Sequence, residues 1–352
     1  MMLPTIDAPR ATGGIARLCW RFPSNDPVFI LMNKLRRILM AAGLWAVASA
    51  CLAQAWPSKP VRIVVPYAPG GISDAVARLL AERLAPALGQ AVVVENRPGA
   101  SGTTGMDAVA KASDGHTIAF SAISPLTLNP HFQRMPYEPL KDVIPVASVM
   151  YSPVYFVATP AFSGKSFADV IAQSKANPGK LNVATSGMGS VGHVMLEQIS
   201  RKSNVRFNHI PYKGSSQVIN DAVGGQFELF TINPGPATNG LIAQGKLRVL
   251  AVAAPQRLTA FPDAPTFIEL GQADANLSSV FGIFAPARTP PDVLKRLNTE
   301  VNKVLADKDL QDRLAKLDNL VSTGSIEQFT AQVQREYEAN ARVIKEAGIK
   351  LD

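Results

Sequence analysis

Residues 61–80, VRIVVPYAPGGISDAVARLL, run from a β-branched strand through a Pro/Gly turn into a helix start at Ser73 and Asp74. Gly70 and Gly71 allow backbone angles and close approaches that a side chain forbids. Ser73 or Asp74 is placed to cap the helix, and Tyr67 brings a phenol to the strand end, with Ala68 inside the turn. Such a turn gathers free backbone N–H groups at the positive end of a helix dipole, an arrangement that holds an anion without a cationic side chain.

The pattern recurs at residues 184–193, ATSGMGSVGH. An apolar strand at 181–184 leads into a turn containing Ser186, Gly187 and Gly189, and Ser190 is a good N-cap for the helix that follows. His193 falls in the first helical turn, where it reads as a packing or hydrogen-bonding residue rather than a base. Two anion-competent turns, one in each half of the chain, place a ligand between two domains at the C-terminal ends of their sheets. Ser121, Ser124 and Asn129 follow a strand at 117–120 and can hydrogen-bond a polar ligand. Tyr212, in the turn after residue 210, can wall the same cleft, and Thr231 and Asn233 can face it from the far side. Residues 94–102, VENRPGASG, read as a structural turn.

Short β-branched runs at 61–65, 92–95, 117–120, 154–158, 181–184, 206–210, 247–253 and 280–285 alternate with helical stretches at 73–87, 167–177, 191–202 and 216–224. The alternation predicts an α/β fold built on parallel sheets. The strands at 154–158 and 280–285 each leave into proline-stiffened turns and are expected to carry the crossings of a hinge. The tail is helical at 292–307, 309–317 and 326–347, with Gly348 as a stop. The expected organisation is a first lobe of residues 56–155 and 282–352 and a second of residues 156–281.

Residues 32–55 have the form of a cleavable export signal: a basic start with Lys34, Arg36 and Arg37, an apolar core at 38–50, and Ala53-Gln54-Ala55 as the cleavage site. Residues 1–31 precede a complete signal and are expected to result from a start codon set too early. The expected location is periplasmic, with lipidation of Cys51 as the less favoured alternative. Removing residues 1–55 takes away six basic and two acidic side chains and lowers the formal charge from +8 to +4. The remaining basic residues are dispersed, which argues against a nucleic-acid partner. Both cysteines, Cys19 and Cys51, lie in the leader, so the 297 residues from 56 onward hold no disulfide, thiol nucleophile or thiolate metal site. Gly70 and Gly71 do not complete a GxGxxG fingerprint, no GxxxxGK[ST] or GxSxG sequence occurs, and the four histidines lack paired-ligand spacing, so neither a nucleotide cofactor nor a metal is expected.

Residues 56–60 (WPSKP), IVVPYAPGGISD, VVVENRPGASGTTG at 92–105, SGMGSVGH at 186–193, PYKG at 211–214 and KEAGIK at 345–350 together resemble the Bug family. These are the extracytoplasmic solute receptors of tripartite tricarboxylate transporters. The resemblance implies a type II periplasmic binding protein with two lobes joined by crossing strands. It further implies a small carboxylate held by the turns at 67–74 and 186–193, delivery to membrane permease subunits, a monomer, and no metal or cofactor. Many relatives carry an aspartate after the GGQ turn, about where Ile232 stands here, which points to a ligand without an amino group. Two other uses of such a cleft stay open from the residues: sensing, with the closed form engaging a membrane sensor kinase, and a periplasmic enzyme.

Overall fold

The computed structural model describes residues 56–347, together with Leu31, Met32 and Arg36. Apart from Met32 and Arg36, the export signal lies outside the described residues, as do its cleavage after Ala55, the alternative at Cys51 and the helix stop at Gly348.

The opening stretch forms β1 (Val61–Val65), whose apolar residues are all buried. It pairs in parallel with β2 (Val92–Asn96) and with β3 (Thr117–Ala122), itself buried at every residue. Further along come β4 (Val143–Ser152), β5 (Val154–Ala158), β6 (Asn182–Thr185), β7 (Asn208–Pro211), β8 (Leu229–Ile232), β9 (Arg248–Ala253), β10 (Ser279–Pro286) and β11 (Leu320–Val321). They make two sheets, ordered β11-β4-β10-β3-β1-β2 and β7-β6-β8-β5-β9. The fold is thus mixed α/β with two lobes, one around each sheet.

The sheets are not parallel throughout, contrary to the expectation. Parallel pairing is confined to β2-β1-β3 and β7-β6-β8, while β10 runs antiparallel to β3 and β4, and β5 antiparallel to β8 and β9. β5 and β10 each follow a crossing between sheets rather than a covering helix, so no βαβ unit sets their direction. The crossings also precede these strands. β4 ends in the first sheet at Ser152 and β5 begins in the second at Val154, and the chain returns between Ala253 and Ser279. The expected boundaries at 155/156 and 281/282 therefore fall inside strands. The proline turns that suggested them mark strand ends, whereas β5, buried at all five residues, needs neighbours on both sides and finds them in the second sheet.

The helices are α1 (Ile72–Leu88), α2 (Thr103–Ala110), the single turn α3 (Ser124–Thr127), α4 (Phe167–Ala176), α5 (Val191–Ser203), α6 (Ser215–Val223), α7 (Pro236–Ala243), α8 (Pro291–Leu305), α9 (Lys308–Ala315) and α10 (Ile326–Ala347). The C-terminal helices return to the first sheet. Leu297, Val301 and Leu305 of α8 pack with α1 on one face, and Phe329 and Val333 of α10 pack with Phe284 on the other. The second sheet is likewise covered on both faces. From Trp56 onward the chain packs as one compact unit, and no helix among the described residues is long and apolar enough to cross a membrane.

Candidate functional site

A cavity of about 40 Å³ lies between the two sheets, where the parallel strands β1, β3, β6 and β8 end. Its wall carries nine hydroxyls, from Ser73, Ser101, Ser124, Ser186, Ser190, Ser215, Ser279, Thr231 and Tyr67. Ile72, Ala122, Val154, Val191, Ile232 and Phe281 supply its apolar part. No Asp, Glu, Lys, Arg or His is among the lining residues.

Helices α1, α5 and α6 start at this cavity, and α7 starts beside it against Ile72. α1 begins after Gly71, α6 after Gly214 and α7 after Gly235, none with a side-chain cap. α5 begins after Ser190, whose Oγ accepts the His193 N–H at 3.2 Å and leaves the earlier N–H groups of the turn uncapped by it. The starts meet across the cleft. A Cβ placed on Gly71 would lie 3.6 Å from Ser215 Cβ, one on Gly214 3.4 Å from the Ala68 nitrogen, and one on Gly235 3.6 Å from the Ile72 nitrogen. First-turn N–H groups and positive dipole ends of both lobes thus point into one small volume.

Asp74 does not cap α1, as the sequence allowed. Gly71 holds the cap position, so Asp74 lies inside the first turn, where its carboxylate accepts the Gly70 N–H at 3.0 Å and an Arg78 N–H at 2.9 Å. It shapes the turn and lies outside the cavity wall. Its carboxyl is held below the usual range because hydrogen bonds from Arg78 and Gly70 outweigh burial, the largest single influence. Ala68 and Gly70 likewise contribute backbone to the turn rather than wall.

Tyr67 lines the cavity, and burial pushes its phenol up to about 12. Its hydroxyl lies 3.4 Å from Ser121 Oγ, which donates to the Ala122 carbonyl at 2.8 Å, so Ser121 stands behind the wall. Gly187 and Gly189 form the back of the second turn at φ of 141° and 71°. Ser101 Oγ donates to the Met188 carbonyl from the opposite lobe, and a Cβ on Gly187 would collide with that Oγ. Asn129 stands behind this contact, donating to Thr103 Oγ1 at 3.0 Å.

Two expected contacts, Tyr212 and His193, lie outside the cavity wall, and a third, Asn233, is engaged elsewhere. The Tyr212 hydroxyl donates to Asp221 Oδ2 at 2.6 Å, with its ring edge-on to Phe227. His193 lies under the turn: Nδ1 accepts the Gly189 N–H at 3.2 Å, and the ring stacks on His209 with centroids 4.4 Å apart. Asn233 reaches the cavity, but its amide donates to the Pro153 carbonyl at 2.9 Å and to Ser279 Oγ at 3.0 Å, binding both crossings.

Ser101, Ser215 and Ser279 are wall residues that the sequence reading missed. Ser215 was within reach, since it follows a strand and Gly214 in the same strand, glycine, serine order as the first turn. Ser101 and Ser279 depend on pairing between distant segments and carry no local signal.

Comparison with known proteins agrees with this architecture. The model of the tripartite tricarboxylate transporter family receptor matches residues 76–349. Protein BugT of Bordetella pertussis is 35% identical over 322 residues, spanning 90% of this chain and 98% of BugT. The structure of an R. palustris protein with adipate superposes with a TM-score of 0.80 at 32% identity, covering 84% of this chain and 99% of that one. MatC from Rhodopseudomonas palustris with bound malate gives 0.77 at 30% identity, covering 82% of this chain and 100% of MatC. On this match across the sheets, the turns and most of the sequence, the chain belongs to the Bug family of tripartite tricarboxylate transporter receptors.

Proposed function

We propose that the protein is a periplasmic receptor that captures a small carboxylate between its lobes and presents it to the permease subunits of a tripartite transporter, acting as a monomer. One observation carries the reading: helix starts from both lobes converge on a cavity with no charged side chain. Like-signed dipole ends repel when brought together, and an anion between them converts the repulsion into attraction from both sides. The ligand then contacts both lobes only when they are closed and favours that state by its differential affinity. The adipate and malate held by the two related structures support a small carboxylate as cargo. Ile232, buried and apolar at the wall, supports an acid without an amino group. The hydroxyls have no base among the lining residues, which supports capture without turnover.

The test is a thermal-shift and calorimetry screen of the purified protein, stripped of retained ligand, against carboxylates, their amides and amino acids. At about a hundred times Kd, a cargo stabilises by roughly 2.7 kcal/mol, a shift of roughly 5 °C or more. Acids alone are expected to give it, unchanged after incubation, and Gly71→Val to abolish it. Equal binding of the amides, tight binding of aspartate, or conversion of the acid would each refute the reading.

A further inference from the structure

Thr231, the last but one residue of β8, lies at the floor of the cavity with Val154 and Ile232. It is 2% exposed, and its Oγ1 is fully buried with no hydrogen-bond partner. No other lining residue has a buried side-chain N or O atom left in that condition. A buried hydroxyl without a partner costs stability, and a valine would fill much the same volume without that cost. The fold also makes room for it. Gly192, in the first turn of α5, would place a Cβ 2.9 Å from Thr231 Cβ and still closer to the hydroxyl, so the helix start can lie against it only as glycine.

The neighbouring polar groups are already engaged. Asn233 and Ser279 bond to each other, and Asn233 to the crossing at Pro153, so the Thr231 hydroxyl, packed against Gly192, is the one buried side-chain polar group there left without a partner. Beside that hydroxyl lies the start of α5, whose N–H groups also donate. The N–H groups and positive end of α5 disfavour an ammonium and favour an oxygen, to which the hydroxyl can then turn its own proton. Building on the capture of a carboxylate, we infer that Thr231 is a specificity-determining residue that donates to a second oxygen on the cargo, a hydroxyl or second carboxylate at its far end.

The experiment compares wild type with Thr231→Val and Thr231→Ser in calorimetry against two matched series: butyrate, 4-hydroxybutyrate and succinate, and hexanoate, 6-hydroxyhexanoate and adipate. The wild type is expected to prefer an oxygenated member of at least one series by about tenfold or more, the worth of a hydrogen bond to a charged or strongly polar group. Thr231→Val is expected to erase that preference by weakening the oxygenated acids about tenfold more than the plain monocarboxylate, and Thr231→Ser to restore it. Whether the alcohol or the diacid wins tells which oxygen is read. Ligand-free Thr231→Val is expected to melt a few degrees higher than wild type. A preference that survives in Thr231→Val, an equal loss for every acid, or a ligand-free valine variant melting no higher than wild type would overturn the inference while leaving carboxylate capture intact. Binding of no acid by either protein would instead overturn the capture reading and this subsite with it.

Discussion

His193 and His209 lie face to face, their planes within 10° of each other, behind the turn that presents Ser186 and Ser190. Burial lowers His193 to about 3, helped by the neighbouring imidazole, and lowers His209 to about 4. His193 Nδ1 accepts a hydrogen bond from the Gly189 N–H, and His209 Nε2 lies 2.7 Å from Thr185 Oγ1, so the pair props the turn in its neutral form. The facing acid is Glu197, 3.8 Å from His193 Nε2, and burial raises its carboxyl. Both folded values lie below the ordinary 6.5 of an unfolded histidine. The unfolded chain therefore binds protons first as the pH falls, and the stability present above about 6.5 is lost toward 3 to 4. Urea midpoints are expected to drop between pH 7 and 4, more shallowly in His193→Gln, which starts less stable at pH 7. A flat profile in the wild type would contradict this. The sequence showed His193 in a helical turn as a hydrogen-bonding residue. It could not show His209, which reaches the same place only through the parallel pairing of β6 with β7.

At the scale of elements, residues 99–102 hold four successive positive φ angles, including Ala100 at 44° and Ser101 at 50°. Non-glycine residues in this region cost about 1–3 kcal/mol each and persist where their surroundings fix them. Here Asn129 fixes them, bonding to the Ala100 and Ser101 carbonyls at 3.4 and 3.3 Å, and Ser101 docks on the opposite turn at Met188. Because this contact joins lobe to lobe, Gly187→Ala, whose Cβ would strike Ser101, is expected to weaken every acid that binds by one common factor of about tenfold. Ser101→Ala is expected to do the same more mildly. Calorimetry showing loss for one acid alone would make Ser101 a ligand contact instead. The reading of residues 94–102 as structural followed from their glycines, while the docking lay beyond any local pattern. Helices with clear apolar spacing were legible to within a few residues, as α10 at 326–347 shows. β4 was hidden by Pro145, which breaks its apolar run and sits where the pairing with β10 shifts register. Strand direction was hidden as well, because alternation of strands and helices says nothing about a strand that follows a crossing.

For the molecule as a whole, the two crossings at Pro153 and Ser279 are tied to one side chain, Asn233. Removing that tie in Asn233→Ala is expected to broaden the distribution of lobe separations in the ligand-free protein, measured between spin labels on the two lobes. It should also weaken binding several-fold, because more open arrangements then compete with the closed one. An unchanged distribution would show that the strands alone set the motion. Two crossings held by one side chain resist sliding past each other, which favours opening as a hinge over shear. If the proposed capture holds, a partner that reads only the hinge angle senses closure and not the chemistry of the enclosed acid, so discrimination among acids belongs to the cavity wall.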